Sequence, residues 1–282
     1  MNPSSFTGGT AVLTGAASGI GLALATDLAR RGSHLALIDR DGAGLDRLAA
    51  ELRRQYPHLR VTTHPADLGQ TGTIPDLAED VLGHHRRVTL LINNAGVALG
   101  GTFDELSLEE FEWVQDVNFR AVVAMCKAFL PALKAELQPY IVNVSSLYGL
   151  AAPEGQSAYA ASKFAVRGFS EALRHELAPR GIGVTVVHPG GVRTNIANSA
   201  RVGSGVQASA QEAQAQREAM NRVLRLAPAE AARIILAAVE RRAPRVLIGT
   251  DAKLIDLLVR LLPGTYWNVL VRLLPGRRRA AK

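Results

Sequence analysis

The sequence predicts a doubly wound α/β fold, a mainly parallel seven-stranded sheet with helices on both faces, followed by a C-terminal helical extension. Two observations predict it. Short apolar runs alternate with helix-length segments, as right-handed βαβ units require. The runs are almost continuously apolar, which suits strands covered on both faces. In order, strands are read at TAVLT (10–14), HLALID (34–39), RVTTH (60–64), VTLLIN (88–93), YIVNVS (140–145), GVTVVH (183–188) and RVLIG (245–249). Helices are read at 19–31, 44–55, 107–137, 157–178 and 228–241. No linker divides residues 1–250, so they form a single catalytic-size domain.

Two segments depart from the alternation. Residues 195–226 are polar, rich in small side chains and partly helical in pattern, and they read as a substrate lid or as a solvated excursion. The extension, 251–282, contains an internal echo, LLVRLLPG at 257–264 and VLVRLLPG at 269–276. Two copies do not make a solenoid. They make two short apolar, arginine-bearing helical pieces, each stopped by Pro-Gly.

Composition narrows the function. With 282 residues, 48% of them hydrophobic, the chain can fill a sizeable core. Cys126 is the single cysteine, so no intramolecular disulfide forms, and its apolar helical setting reads as a buried thiol. Neither a C-x-x-C pair nor an H-E-x-x-H segment points to a metal. The N-terminus has no basic region before an apolar run, and the apolar stretch 10–29 is interrupted by glycines, hydroxyls and Asp27, so neither a secretory signal nor a membrane span is expected. A cytoplasmic protein is the expectation. The net charge of +7 is unevenly placed: residues 241–282 hold ten Lys or Arg against Asp251 and Asp256, a balance of +8, which leaves −1 for residues 1–240. No nucleic-acid surface is implied for the body.

The first chemical motif is TGAASGIG, comprising Thr14, Gly15, Ser18, Gly19, Ile20 and Gly21 among its members, directly after the first strand and opening the first helix. Glycines permit a sharp turn and close approach to a phosphate, and the helix start offers free N–H groups. In that context the motif reads as a Rossmann-type dinucleotide turn, although a tight strand-to-helix turn has similar composition. Asp39 ends the second strand, where a carboxylate accepts from an adenosine ribose and disfavours a 2′-phosphate. NAD is therefore preferred. Arg40, the next residue, leaves NADP open, since its guanidinium can pair with a 2′-phosphate.

The second motif is SAYAASK, 157–163, which sets Tyr159 and Lys163 four residues apart on one helical face. Surface packing is one reading. Acid–base chemistry is the other: an adjacent ammonium favours the phenolate, and lowering a phenol by about 3 pKa units takes roughly 4 kcal/mol. Ser146, thirteen residues before Tyr159 at the end of the fifth strand, is placed to hydrogen-bond a substrate oxygen, as is its neighbour Ser145.

Taken together, TGAASGIG, Asp67 in ADL, NNAG (93–96), Asn118 in VNF, Ser146 in VNVSS, YAASK (159–163) and HPGGVRT (188–194) resemble, in order and spacing, the classical short-chain dehydrogenase/reductases (SDR). The match is strong over 8–194 and weaker through about 250. The resemblance implies an NAD(P)-dependent oxidoreductase acting on CH–OH donors, with Asn118, Ser146, Tyr159 and Lys163 as the catalytic set. It selects Ser146 over Ser145, and gives Asn118 a water that links Lys163 to solvent. It implies that Asp67 and Leu68 bracket the adenine, that Asn94, Ala95 and Gly96 hold the ribose side together with Tyr159 and Lys163, and that Pro189, Gly190, Val192 and Thr194 meet the nicotinamide carboxamide. His188 reads as structural. It further implies a homodimer or homotetramer built through 107–137 and 157–178.

Around this centre the expected substrate pocket takes Val97, Ala98, Leu99, Leu147, Tyr148, Pro153 and the stretch after Thr194, with no arginine awaiting a carboxylate. A hydrophobic secondary alcohol or ketone is the expected substrate. An epimerase or dehydratase of the same family, and a non-catalytic dinucleotide sensor or scaffold, are the alternatives; the intact catalytic set argues against the sensor. For the extension, apolar stripes with arginines suit peripheral contact of 252–282 with an anionic membrane, and equally packing on the body or a second subunit.

Overall fold

The computed structural model describes residues 6–196, 198–207 and 210–273. Nine strands are described: β1 (Thr10–Thr14), β2 (His34–Asp39), β3 (Val61–Pro65), β4 (Leu90–Asn93), β5 (Leu99–Gly100), β6 (Tyr140–Val144), β7 (Gly183–Pro189), β8 (Arg201–Val202) and β9 (Arg245–Ile248). Seven of them form one all-parallel sheet in the order β3-β2-β1-β4-β6-β7-β9, while β5 and β8 pair separately. The order reverses between β1 and β4, and a crevice opens at the carboxyl ends of strands at such a point.

The helices are α1 (Gly19–Arg30), α2 (Gly42–Gln55), α3 (Ile74–His84), α4 (Leu108–Gln115), α5 (Ala121–Lys134), α6 (Ser157–Leu177), α7 (Ala210–Val223), α8 (Pro228–Glu240), α9 (Thr250–Leu261) and α10 (Tyr266–Leu273). Alternation along β1 assigns the two faces. Ala11 and Leu13 pack with α1, α2 and α8, whereas Val12 packs with α3, α5 and α6. All five residues of β1 are buried, as a doubly covered strand requires.

Local signals set the ends. Asp41 caps α2 by accepting from the Gly44 N–H at 2.9 Å, and Ser107 with Glu110 forms a capping box at α4. The helix expected over 107–137 is not continuous. A π-helical turn, Asp116–Arg120, separates α4 from α5, and Asn118 sits inside it. The turn frees the Asn118 side chain to clamp the Val97 backbone instead of running past it. The segment 195–226 contains β8 and α7, and the extension folds as α9 and α10, broken at Pro263-Gly264. The end of the second echo and the arginines at 277–279 lie outside the described residues. Among the described residues no helix is long and apolar enough to cross a membrane.

A polar chain runs beneath β3: Asp80 accepts from His64 Nδ1 at 2.6 Å, and Thr62 Oγ1 links His64 Nε2 at 2.7 Å to His85 Nε2 at 2.8 Å. Burial, aided by neighbouring His64 and Arg60, lowers the His85 pKa from 6.5 to about 4. Burial also takes His188 to about 4. Between these values the unfolded chain binds protons that the folded chain does not, so acidification favours unfolding. The urea midpoint is expected to fall as pH drops from about 7 to about 5, with a shallower fall in His85→Gln. A flat profile in the parent protein contradicts this reading.

Candidate active site

The crevice at the switch point is a cleft of about 670 Å³, floored by the loops that follow β1, β2, β4, β6 and β7. Its first wall is the glycine-rich turn. Gly15 and Gly19 take positive φ of 67° and 55°, and a Cβ on Gly15 would stand 2.8 Å from the Ala95 Cα. Ser18 opens α1 without a side-chain cap, and the first turn carries no acidic residue, so the free N–H groups of α1 face the cleft uncompensated. That is a fit for a pyrophosphate. Gly15, Ser18, Gly19 and Ile20 line the cleft. Thr14 and Gly21 lie behind it.

Thr14 acts as a clasp. Its buried hydroxyl accepts from the Asn94 and Ala95 N–H groups at 2.9 and 3.0 Å. Asn94 returns the link by donating from Nδ2 to the Thr14 and Gly15 carbonyls. A Cβ on Gly21 would fall 1.8 Å from the Gly15 oxygen, so that glycine serves helix–turn packing. Further along, Asp39 lines the cleft while its two carboxylate oxygens accept from Ala17 and Asp41 N–H groups. Arg40, Asp67, Leu68, Asn94, Ala95 and Gly96 share the cleft, as do Pro189, Gly190, Val192 and Thr194. The Asp67 carboxylate also accepts from the Gly69 N–H and so shapes its own turn.

At the other end of the cleft stand Ser146, Tyr159 and Lys163. The two serines after β6 part company: Ser145 Oγ donates to the Lys163 carbonyl at 2.8 Å, whereas Ser146 Oγ accepts from the Tyr148 N–H and lines the cleft with Tyr159. Lys163 is buried, donates to the Val144 carbonyl at 3.2 Å, and lies 5.6 Å from the Tyr159 ring centroid. Asn118 is wholly buried behind the cleft, accepting from the Val97 N–H at 2.8 Å and donating to Val97 O and Ser162 Oγ. A Cβ on Gly96 would lie 3.2 Å from Asn118 Oδ1 and 3.3 Å from Lys163 Nζ, so both groups converge on that glycine.

Burial sets the resting charge of Tyr159 and Lys163 in the protein alone. Burial pushes the Tyr159 phenol up to about 12, against a smaller opposing pull from Ser146, and burial takes Lys163 down to about 8. The ammonium sits below the ring and donates to a backbone carbonyl, so within the protein alone desolvation of the phenol outweighs its help to the phenolate.

Leu99, Leu147 and Tyr148 line the cleft; Pro153 does not, and Gln156 takes a place there instead. Two further cleft residues carry no local sequence signal. Asp251, at the start of α9, accepts from the Gly191 N–H at 2.6 Å. Arg201, on β8, lines the cleft wall and stacks over Trp113 at 3.9 Å.

Comparison with known proteins decides the family. The short chain dehydrogenase profile matches residues 9–204. This chain belongs to the short-chain dehydrogenase family. The chain is 42% identical over 273 residues to a Mycobacterium tuberculosis protein named "Putative oxidoreductase SadH", covering 95% of each chain. It is 33% identical to dehydrogenase/reductase SDR family member 7B of Xenopus laevis, over 95% of this chain and 83% of that one. A Burkholderia phymatum short-chain dehydrogenase/reductase in complex with NAD superposes with a TM-score of 0.82 at 30% identity, covering 98% and 99% of the two chains. A Sphingobium yanoikuyae short-chain dehydrogenase in complex with NADPH gives 0.73 at 29%, covering 96% and 99%. The chain is thus an oxidoreductase of that family with a Rossmann-type fold.

His188 completes the site from behind. It is fully buried, and Nδ1 meets the Ser146 carbonyl at 3.0 Å. A carbonyl only accepts, so Nδ1 carries the proton and holds the backbone from which Ser146 faces Tyr159. His188→Leu in the dehydrogenase is expected to lower kcat about tenfold with little change in KM, the scale of one lost hydrogen bond. His188→Asn keeps an N–H at the same place and is expected to restore most of it. Equal kcat for the two variants contradicts the positioning role.

Proposed function

We propose that the protein is an NAD(P)-dependent oxidoreductase of the CH–OH class that interconverts a hydrophobic secondary alcohol and its ketone, with Tyr159 as general acid and base. The observation that carries this reading is that Ser146 and Tyr159 stand together on the cleft wall, with Lys163 buried beneath. When bound, the nicotinamide cofactor supplies or accepts the hydride. The glycine-rich turn would hold its pyrophosphate, and Asp39 its adenosine ribose. The 195–226 segment acts as a lid, because Ile196, Val202 and Val223 add apolar surface to the cleft. Asp39 favours NAD, while Arg40 keeps NADP in play; relatives of the chain bind either. We further propose a cytoplasmic homodimer or homotetramer, with peripheral membrane contact through 252–282.

In the reducing direction, Tyr159 donates its proton to the carbonyl oxygen as charge develops there, and the Ser146 hydroxyl stabilises that oxygen. In the oxidising direction the same phenol must first lose its proton. Lys163 then replaces the proton's charge, and Asn118 fixes the backbone and the relay through which Lys163 meets solvent. A phenol held up to about 12 is protonated at neutral pH, so the protein favours the acid role there.

The sign of the pH dependence follows. Oxidation, which needs the base form, is expected to speed up as pH rises from about 7 towards about 8, where Lys163 begins to lose its charge, whereas reduction stays level through about 9. Tyr159→Phe is expected to lower kcat by about 10²–10⁴-fold in both directions. The check is a panel of apolar and charged alcohols and carbonyls with NAD(H) and NADP(H). Undiminished turnover in Tyr159→Phe overturns the mechanism, and turnover confined to charged sugars or hydroxy acids overturns the substrate class.

A further inference from the structure

The extension leaves an apolar helix face uncovered. On α9, Leu254, Leu257 and Leu261 fall at i, i+3 and i+7 and are 67%, 55% and 69% exposed. Such spacing makes one continuous stripe. The opposite side of the helix packs inward through Ala252, and Leu262 prolongs the stripe past the helix end. Lys253 and Arg260, one residue before Leu254 and Leu261, border the stripe along one edge.

The sequence of the extension carries an excess of cations. Each acid of the extension has a partner, Asp251 the Gly191 N–H and Asp256 the guanidinium groups of Arg245 and Arg260. Ten Lys or Arg stand against these two acids over 241–282. A leucine stripe bordered by cations, on a segment whose acids are occupied, matches the edge of an anionic bilayer, where acyl chains take the leucines and headgroups take the cations. Tyr266 and Trp267 open α10, and such aromatic side chains favour the headgroup level.

The same extension is pinned to the cleft at two points. Asp251 lines it, and the Tyr266 hydroxyl accepts from the Ala152 N–H at 3.1 Å, in the loop between the cleft residues Tyr148 and Gln156. We infer that the Leu254–Leu257–Leu261 face of α9 docks on an anionic lipid surface and sets the cleft beside it, so that an apolar alcohol or ketone reaches Tyr159 from the lipid phase. The access route rests on the reaction proposed above; the docking does not.

The test uses the full chain and Leu254→Ser/Leu257→Ser/Leu261→Ser, whose positions are exposed and leave the fold intact. Flotation is measured with vesicles of phosphatidylcholine alone and with added phosphatidylserine. The parent protein is expected to float with the anionic vesicles, and the variant to partition about tenfold or more weakly. Turnover of a water-soluble ketone is expected to be equal in both, while turnover of a long-chain ketone carried in the vesicles falls only in the variant. No flotation of the parent, equal flotation of the variant, or a variant that loses self-association where the parent never floats overturns the inference. Absence of turnover on any ketone by a floating parent overturns the proposed reaction and the access route, and leaves the docking supported.

Discussion

The site depends on a buried ammonium. Lys163 is 3% exposed on α6, and burying an unsatisfied charge is costly, so the surrounding chain is arranged to hold it. Its Nζ donates to Val144 O at the end of β6, and its own carbonyl accepts from Ser145 one residue further on. The helix is thereby stitched to the strand at the point where Ser146 emerges. Two glycines make the approach feasible: a Cβ on Gly149 would stand 2.2 Å from Ser145 Oγ, and one on Gly96 would stand 3.3 Å from the ammonium itself. Asn118 Nδ2, bonded to Ser162 Oγ, ties the π-helical turn to the residue beside the lysine.

The glycine-rich end of the cleft is built by the same logic at lower cost. Neutral groups do the stitching there, with Thr14 and Asn94 joining the loops after β1 and β4 across the switch point of the sheet. That leaves the start of α1 uncapped and its N–H groups free for a ligand. The two ends meet at Gly96, the residue that follows the Thr14 clasp and lies against both Asn118 and Lys163. A loop that is rigid for one purpose is therefore rigid for the other.

Much of this was legible in the sequence because period and punctuation are local. The strands at 10–14 and 34–39 were read to the residue, since apolar runs ended by Gly and Asp allow few alternatives. The membership of the cleft was legible through ordered motifs. What the motifs could not convey is the direction in which a side chain is spent. Thr14 lies in the motif but clasps a neighbouring loop, and Pro153 lies near the reactive serine but off the cleft. Asn118 interrupts a helix that periodicity draws as continuous. Asp251 reaches the Gly191 turn across sixty residues, and Arg201 arrives on a two-residue strand, so no local pattern announces either. Spacing gives the proximity of a cation, but only packing gives the desolvation that opposes it.

The central claim is that packing, and not the mere neighbourhood of two residues, sets the charge of Tyr159 and Lys163. The chain has five lysines, so each ε-ammonium can be resolved by nitrogen-15 lysine labelling and assigned by single substitution. Titrating the Lys163 signal measures the claim directly. The account predicts a midpoint at about 8, drawn down from 10.5 by burial. A midpoint at the ordinary value of 10.5, shared with the exposed lysines, would mean a solvated ammonium and would contradict it.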